Sequence, residues 1–517
     1  HISVAEILFT ALKENNADSV AQIEAETGHK LTNGQLLEDS LSVAQGLKAE
    51  GIGEGSVVAV VTFNSQEAYI ITLASIFVGA TVAPLDSGLT PDELGHFIKL
   101  IQPKIIFCDN GKTLNKIEQA YKVLPYTPGF VVSGVQKHTY IDFEDLKQPI
   151  DVEFKPDIKN PEDHILFIMP TSGTTGLSKG VMLSDLYMRN ASILLPKMEL
   201  CLLVTSPLFW VSGILCLFIS FISGYTTVYL RGTVKENTLL SIIQDYKINL
   251  WVSSPTALLG LVASPYKNAY DISSLKFAFV GGSSMSAESV LQVQKELFNN
   301  KISILQAYGM TEIGVVSSCD LNSNKPGSAG LLKPGCKCKI ENVATGEPLG
   351  PGIKGEVCMK APYMMKGYIN NPEAYAELFD KDGWVHTGDL GYYDEEGYLF
   401  VVDRMKEMIK YKSYHIAPSE LEDILRKHPA VKEALVVGVP HPTDGDHATA
   451  FIVPIKKVSE DELVQYVAER VSETKQLRGG VRFVEEIPCT PTGKPKRNVL
   501  RDQLIARNNS SSEMLVH

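Results

Sequence analysis

The sequence predicts an α/β fold: a large N-terminal domain of mainly parallel sheets flanked by helices, with a small β subdomain, and a small α+β C-terminal domain. Three observations lead there. Short, continuously apolar runs alternate with helical patterns, which implies parallel sheets covered on both faces. From about Gly330 the texture changes to short strands with Gly-rich turns. After Val402-Asp403-Arg404 it changes again, to a helix-and-strand unit large enough for its own core. The expected boundaries are 1–403 for the large domain, with the β subdomain from about 330, 404–510 for the small domain and 511–517 for a tail.

In chain order, VVAVV (57–61) reads as a strand and SQEAYIITLASIFVGA as the helix that follows it. TPDELGHFIKLIQP has the pattern of a capped helix, and the strand KIIFCD comes next. GKTLNKIEQAYKVL and then GFVVS repeat the unit. ILFIMP, CLLVTS, INLWVSS and LKFAFVGG are further buried strands that end in turn residues. GLLKPGCKCKIEN, GEVCMKA and GYLFVVD supply the β subdomain. Beyond Arg404, SYHIAPSELEDILRKHP reads as a helix capped by Pro and Ser, ALVVGVP and TAFIVPI as strands, and SEDELVQYVAERVSE as an amphipathic helix. VRFVEEIP is the last expected strand, and the polar tail from Asn508 is expected to fray.

Composition narrows the function. Apolar residues make up 44% of the 517 and charged residues 21%, the balance of a soluble globular chain. The net charge is −12, so polyanions are repelled and nucleic acid is not an expected partner. Eight cysteines without a CxxC pair read as free thiols in a reducing compartment. With no basic, apolar leader and no S-K-L ending, the expectation is a soluble, cytoplasmic chain, monomeric or weakly dimeric. One uncharged run, Cys201 to Leu230, is long enough to span a bilayer. Pro207, Gly213 and Gly224 interrupt it, and its flanks carry mixed charge without an aromatic belt. It is therefore expected to be a buried strand, a turn and a helix.

The strongest local motif is TSGTTGLSKG, following the strand ILFIMP. Its glycines let backbone N–H groups approach an anion, its hydroxyls add donors and Lys179 adds charge, so it can cradle phosphate. It lacks the G-x-x-x-x-G-K-[ST] spacing, and composition alone leaves it balanced against a polar surface loop. The ordered series that follows tips the balance: YGMTE (308–312) after the buried strand SILQA, HTGDL (386–390), VVDRMKEMIKYK (401–412) and PTGKPKRNVLR (491–501).

Together these motifs resemble the adenylate-forming superfamily, nearest its firefly luciferase and 4-coumarate–CoA ligase branch. IKYKSYHIAPSELEDIL and KQLRGGVRFVEEIPCTPTGK carry the luciferase side of the likeness. The resemblance implies that a carboxylate attacks the α-phosphate of ATP, giving an acyl-adenylate and pyrophosphate, a displacement that needs positioning and charge neutralisation. It implies that Thr171, Ser172, Gly173, Thr174, Thr175, Gly176 and Lys179 hold phosphates, that Thr311 contacts phosphate and that Glu312 holds Mg²⁺. Tyr308 would lie against adenine beside Gly281, Gly282 and Ser283. Asp389 would accept the ribose hydroxyls, supported by Arg404, and Lys494 would bridge the carboxylate and α-phosphate. The small domain becomes a mobile lid, turning about Asp403–Lys406 to replace Lys494 with the Lys410–Ser413 loop for a second step. Lys410 also reads simply as an exposed lysine on a hairpin.

Three positions depart from the pattern. In PLFW, Trp210 stands where many relatives have His, and no His occurs between His164 and His386. Asp185 replaces a customary His, and Ser413 replaces a Gly that faces the thiol's path. Trp210 reads either as a core residue or as a pocket wall that stacks on an apolar or aromatic acid, with Ser212, Ala307, Gly309 and Val315 as matching lining. The resemblance thus leaves two reactions: an acid–CoA ligase using ATP, Mg²⁺ and CoA, or a luciferase that adenylates a luciferin and oxidises it with O₂.

Overall fold

A computed structural model of the chain describes residues 2–122, 126–134, 140–151, 154–156, 158, 160–171, 179–191, 199–232, 234–320, 324–412, 414–441, 443–490 and 494–513. Two large sheets carry the N-terminal region. One has nine described strands, with Leu331–Leu332 and Lys30–Thr32 at its edges; the other has eight, running from Gly367–Tyr368 to Ile141–Asp142. Their central strands are parallel: Cys201–Val204 lies between Thr226–Tyr229 and Leu250–Ser253, and Val57–Val61 lies between Thr81–Leu85 and Ile105–Asp109. Antiparallel pairs occur toward the margins, where Ile304–Met310 meets Gly314–Ser318 and Ile165–Thr171 meets Lys179–Ser184.

Because side chains alternate along a strand, each sheet feeds two cores. Leu202 and Val60 enter a core shared by both sheets, filled by the helices Gln66–Phe77 and Val211–Ser223. Their neighbours Leu203 and Val61 face two separate outer cores, covered by other helices. The Val211–Ser223 helix is therefore apolar all round, with residues 213–221 buried, and each fully buried Leu, Ile or Phe contributes about 1.5–3 kcal/mol. The uncharged run is thus Cys201–Val204, this helix and Thr226–Tyr229. Gly224, at φ +71°, ends the helix in the left-handed region, and Gly213 packs so closely that a Cβ would lie 2.1 Å from the Pro207 carbonyl oxygen. Among the described residues no helix is long and apolar enough to cross a membrane.

A third sheet of five strands includes Lys337–Glu341, Gly355–Lys360, Val385–Tyr393 and Leu399–Arg404, as the change of texture near Gly330 implies. The small C-terminal domain is built on the long hairpin Val431–His441 with Gly445–Pro454, joined by Ile409–Tyr411, Tyr414–Ile416 and Val481–Phe483. The α/β class with a large N-terminal and a small C-terminal domain is as expected.

Local details differ. Tyr308–Met310 do not follow a strand but complete one, because Gly309 and Met310 pair with Val315 and Gly314. The Pro418–Arg426 helix has Ala417 at its cap; Pro418 opens the first turn, and the Ser419 N–H donates to Asp403 instead. In VRFVEEIP only Val481–Phe483 is a strand. Asn508 lies inside a helix, Arg497–Glu513: Leu500 and Leu504 anchor its first turns in a core with Val437 and Phe451, and extension then adds one hydrogen bond per residue ordered.

Candidate active site

A cleft of about 490 Å³ separates the strand ends of the large domain from the small domain. Gly282 and Ser283, just beyond Phe277–Val280, line the large-domain side with Ala307, Tyr308, Gly309 and Asp389; Arg404 follows at the junction, and Lys494 lines the small-domain side. A position beyond the carboxyl ends of parallel strands is where α/β sheets bind ligands. Gly309 is required by packing, since a Cβ there would lie 2.2 Å from the Gly314 carbonyl oxygen.

Asp389 is the electrostatic centre. The Tyr308 hydroxyl donates to one carboxylate oxygen at 2.7 Å, and Arg404 Nε donates to the other at 2.8 Å. The Asp389 N–H donates to Thr387 Oγ1 at 3.2 Å, and that hydroxyl donates to the Val357 carbonyl at 2.7 Å, which fixes the turn. Burial holds the Asp389 carboxyl above its ordinary range, against the opposing pull of Arg404, Tyr308 and Lys494. The same burial, with the Asp389 charge beside it, raises the Tyr308 phenol.

Lys494 comes from the opposite bank. Its backbone sits in a tight turn: the Thr490 N–H donates to the Lys494 carbonyl at 2.7 Å, the Lys494 N–H donates to Thr490 Oγ1 at 3.1 Å, and the Lys496 N–H donates to the Pro488 carbonyl at 2.7 Å. The side chain is half-buried. Desolvation, reinforced by Arg404, draws its ammonium below the ordinary lysine range, while Glu407 and Asp389 oppose. Arg497 braces this bank by pairing with buried Glu422 and by donating from Nε to Glu407 at 2.9 Å. Glu407 ends the turn Met405–Glu407 that follows Arg404, so Arg497 ties the small domain's core to the segment that carries Arg404.

A second cluster gathers around Glu312. Tyr368 donates from its hydroxyl to Glu312 at 2.9 Å, the Lys179 ammonium lies 4.8 Å from the Tyr368 ring centre, and the Tyr187 hydroxyl donates to the Thr311 carbonyl at 2.9 Å. Thr171 and Lys179 face each other as the last described pair of an antiparallel ladder. Ser172, Gly173, Thr174, Thr175 and Gly176 lie outside the described residues, as does Ser413. A buried carboxylate beside a threonine is a donor set suited to a hard cation such as Mg²⁺. Tyr368 and Tyr187 escaped sequence reasoning. Gly367–Tyr368 is a two-residue strand with no readable period, paired with Val181 and Met182 across a long separation.

The expected pocket residues divide. Ala307 and Gly309 line the cleft; Trp210, Ser212 and Val315 are not in its wall. Trp210 is half-buried at the N-cap of the Val211–Ser223 helix, and its indole N–H is buried without a hydrogen-bond partner among the described residues. Beside it the Ser206 and Ser212 hydroxyls lie 2.6 Å apart, and Asn64 bonds both the Ser206 carbonyl and the Leu208 N–H. Gly281 lies directly after Phe277–Val280 at the cleft's edge. Lys410 is exposed on the Ile409–Tyr411 strand, away from the cleft wall. Asp185 is fully buried and accepts from the Val4 N–H at 2.8 Å, so it anchors the N-terminal helix instead of facing the cleft.

A family profile described as AMP-binding enzyme matches residues 9–369, and one described as AMP-binding enzyme C-terminal domain matches 420–494. The chain belongs to the AMP-binding enzyme family. Its relatives are adenylate-forming enzymes, and the chain is one of them. It is 34% identical to a luciferin 4-monooxygenase of Nipponoluciola cruciata, over 94% of this chain and 91% of that protein. It is 30% identical to a 4-coumarate–CoA ligase of Humulus lupulus, again over 94% and 91%. A solved structure of a luciferase-like enzyme from the nonluminescent mealworm Zophobas morio superposes with a TM-score of 0.71 at 31% identity, covering 79% of this chain and 96% of that one. The AMP-binding fold therefore spans both banks of the cleft.

Proposed function

We propose that the chain activates an apolar or aromatic carboxylic acid with ATP, releasing pyrophosphate, and then transfers the acyl group to CoA. The observation that carries the reading is the convergence of Asp389, Arg404, Tyr308 and Lys494, from segments far apart in the chain, on one cleft. In this reading Asp389 receives the ribose hydroxyls once Tyr308 or Arg404 yields an oxygen. Tyr308, Gly281, Gly282 and Ser283 flank the adenine. Thr171, Lys179, Thr311 and the 172–176 loop hold the phosphates. Lys494 stands where negative charge grows between the acid and the α-phosphate, and a half-buried cation acts there with little screening. Glu312, steadied by the Tyr368 hydroxyl, holds Mg²⁺, which when bound neutralises phosphate charge.

The large domain would comprise 1–403 and the lid 404–510, turning about Asp403–Lys406. Lys410 and Ser413 would then border the thiol path. The thiol sulfur attacks the acyl carbon, AMP leaves, and the thiol proton passes to solvent. Trp210 with Ser212, Ala307, Gly309 and Val315 would bound the acid, with Ala307 and Gly309 in the cleft wall and the other three outside it.

A luciferase, adenylating a luciferin and oxidising it with O₂, is the second reading, favoured by the 34% identity to a luciferin 4-monooxygenase. The ligase reading comes first because a luciferase-like sequence also occurs in a nonluminescent insect. Acid-dependent ATP–pyrophosphate exchange across aromatic and C6–C18 acids tests adenylation, and no acid raising exchange above the acid-free control would sink it. Adding CoA should yield acyl-CoA by mass; light with luciferin and no thioester from any acid would select the second reading.

A further inference from the structure

Away from the cleft, at the turn of the small domain's long hairpin, His441, Asp444 and His447 converge. His447 Nε2 lies 2.9 Å from Asp444 Oδ2, and His441 Nδ1 lies 3.6 Å from the same oxygen. Ligand atoms of all three lie within 4.8 Å of one another. A tetrahedral ion with bonds of 2.0–2.2 Å sets its ligand atoms ~3.3 Å apart, between the two observed separations. The imidazoles stack with centroids 3.9 Å apart and planes 14° from parallel. His441 is 38% exposed and its Nδ1 has only a long contact, 3.4 Å, to the Thr443 hydroxyl, so a metal ion at the common point would have to displace that contact and turn the ring out of the stack.

We propose that His441, Asp444 and His447 form a binding site for a divalent transition-metal ion, with Zn²⁺ as the type and solvent completing the shell. Two imidazoles and one carboxylate select a borderline ion over Mg²⁺, which takes oxygen ligands and keeps its water. A rival cluster, Glu341 with Cys358 and His386, already contains a cation: the Lys339 ammonium lies 3.1 Å from Glu341 and 3.4 Å from Asp380. In the His441 cluster the Lys412 charge acts on Asp444 from beyond ion-pair distance, and among the described residues no lysine is bonded to that carboxylate.

The ligand-bearing turn is bonded to the Lys410–Lys412 segment. The Lys412 N–H donates to the Asp444 carbonyl at 2.6 Å, the Lys410 N–H donates to Asp446 Oδ2 at 3.0 Å, and Tyr411 pairs with Gly445. An ion on Asp444 therefore stiffens the segment that, on the function proposed above, serves acyl transfer. Bound Zn²⁺ slows the thioester step and leaves adenylation unchanged.

The test uses the full chain, stripped with EDTA and titrated with ZnCl₂ by calorimetry. The expected result is one ion per chain, undiminished by excess Mg²⁺. His447→Gln and Asp444→Asn should lose it at unchanged melting temperature. No Zn²⁺ binding in the wild type, or equal binding in both variants, overturns the site. Acyl transfer from preformed acyl-adenylate to CoA should slow several-fold with Zn²⁺ in the wild type and not in His447→Gln; equal rates in both overturn the coupling. Failure of every acid to give a thioester would count against the ligase reading, and the titration would still decide the site.

Discussion

Lys494 and Lys410 belong to the same small domain and meet opposite surroundings. Lys494 is pinned by a tight turn and faces Asp389, Arg404 and Glu407, with its ammonium drawn below the usual lysine range by desolvation. Lys410 stands on a three-residue strand with its side chain in water. A lysine partly stripped of water acts strongly on charge that develops beside it; an exposed one is screened by solvent and salt. The described arrangement thus sets up one half of the proposed cycle, and a turn about Asp403–Lys406 would exchange the two lysines.

The largest expected effect separates the two. Lys494→Ala should cut acid-dependent pyrophosphate exchange by ~10²–10³, the usual loss for a donor aimed at developing charge. Its rate with preformed acyl-adenylate and CoA should stay within a few-fold of wild type. Lys410→Ala should show the reverse pattern, with a smaller loss confined to the thioester step. Equal losses in both assays for either variant would break the comparison.

A smaller effect concerns the acid. Trp210→His restores the residue expected from the resemblance and gives the buried N–H position a second polar nitrogen. The ranking of acids by kcat/KM should change by about tenfold, the scale of one pocket contact. The KM for ATP should stay nearly constant. If ATP binding collapses instead, Trp210 is a packing residue of the Val211–Ser223 helix start.

What was legible in the sequence follows the range of each signal. Strand–helix alternation is local, so the two sheets, the buried helix inside the uncharged run and the Thr90-capped Pro91–Ile101 helix were all readable. Asp389, Arg404, Tyr308 and Lys494 sit in contiguous motifs, and the fold brings those motifs to one cleft. Tyr368 reaches Glu312 only through a two-residue strand paired across a long stretch of chain. Arg497 was read as part of a lysine-rich closing motif. Its pairing with Glu422 and Glu407 depends on how the last helix docks, which no local pattern encodes. Asp185 sits near the phosphate loop in sequence, yet the N-terminal helix claims its carboxylate.

The smallest effect is a stability difference that follows from Asp389. Its folded carboxyl titrates above the unfolded value of about 3.9 because burial outweighs Arg404, Tyr308 and Lys494. The folded state therefore holds the proton more tightly. The resulting stabilisation is complete below the unfolded pKa and is lost as pH rises through the folded one, so at neutral pH the ionised group costs stability. Asp389→Asn removes that titration, and Arg404, 40% exposed, turns to water. The variant should lose exchange activity yet melt at the wild-type temperature or above at pH 7, with the advantage shrinking toward pH 4. A lower melting temperature at pH 7 would mean that the Arg404 pair outweighs burial, and that Asp389 is held for structure as much as for the nucleotide.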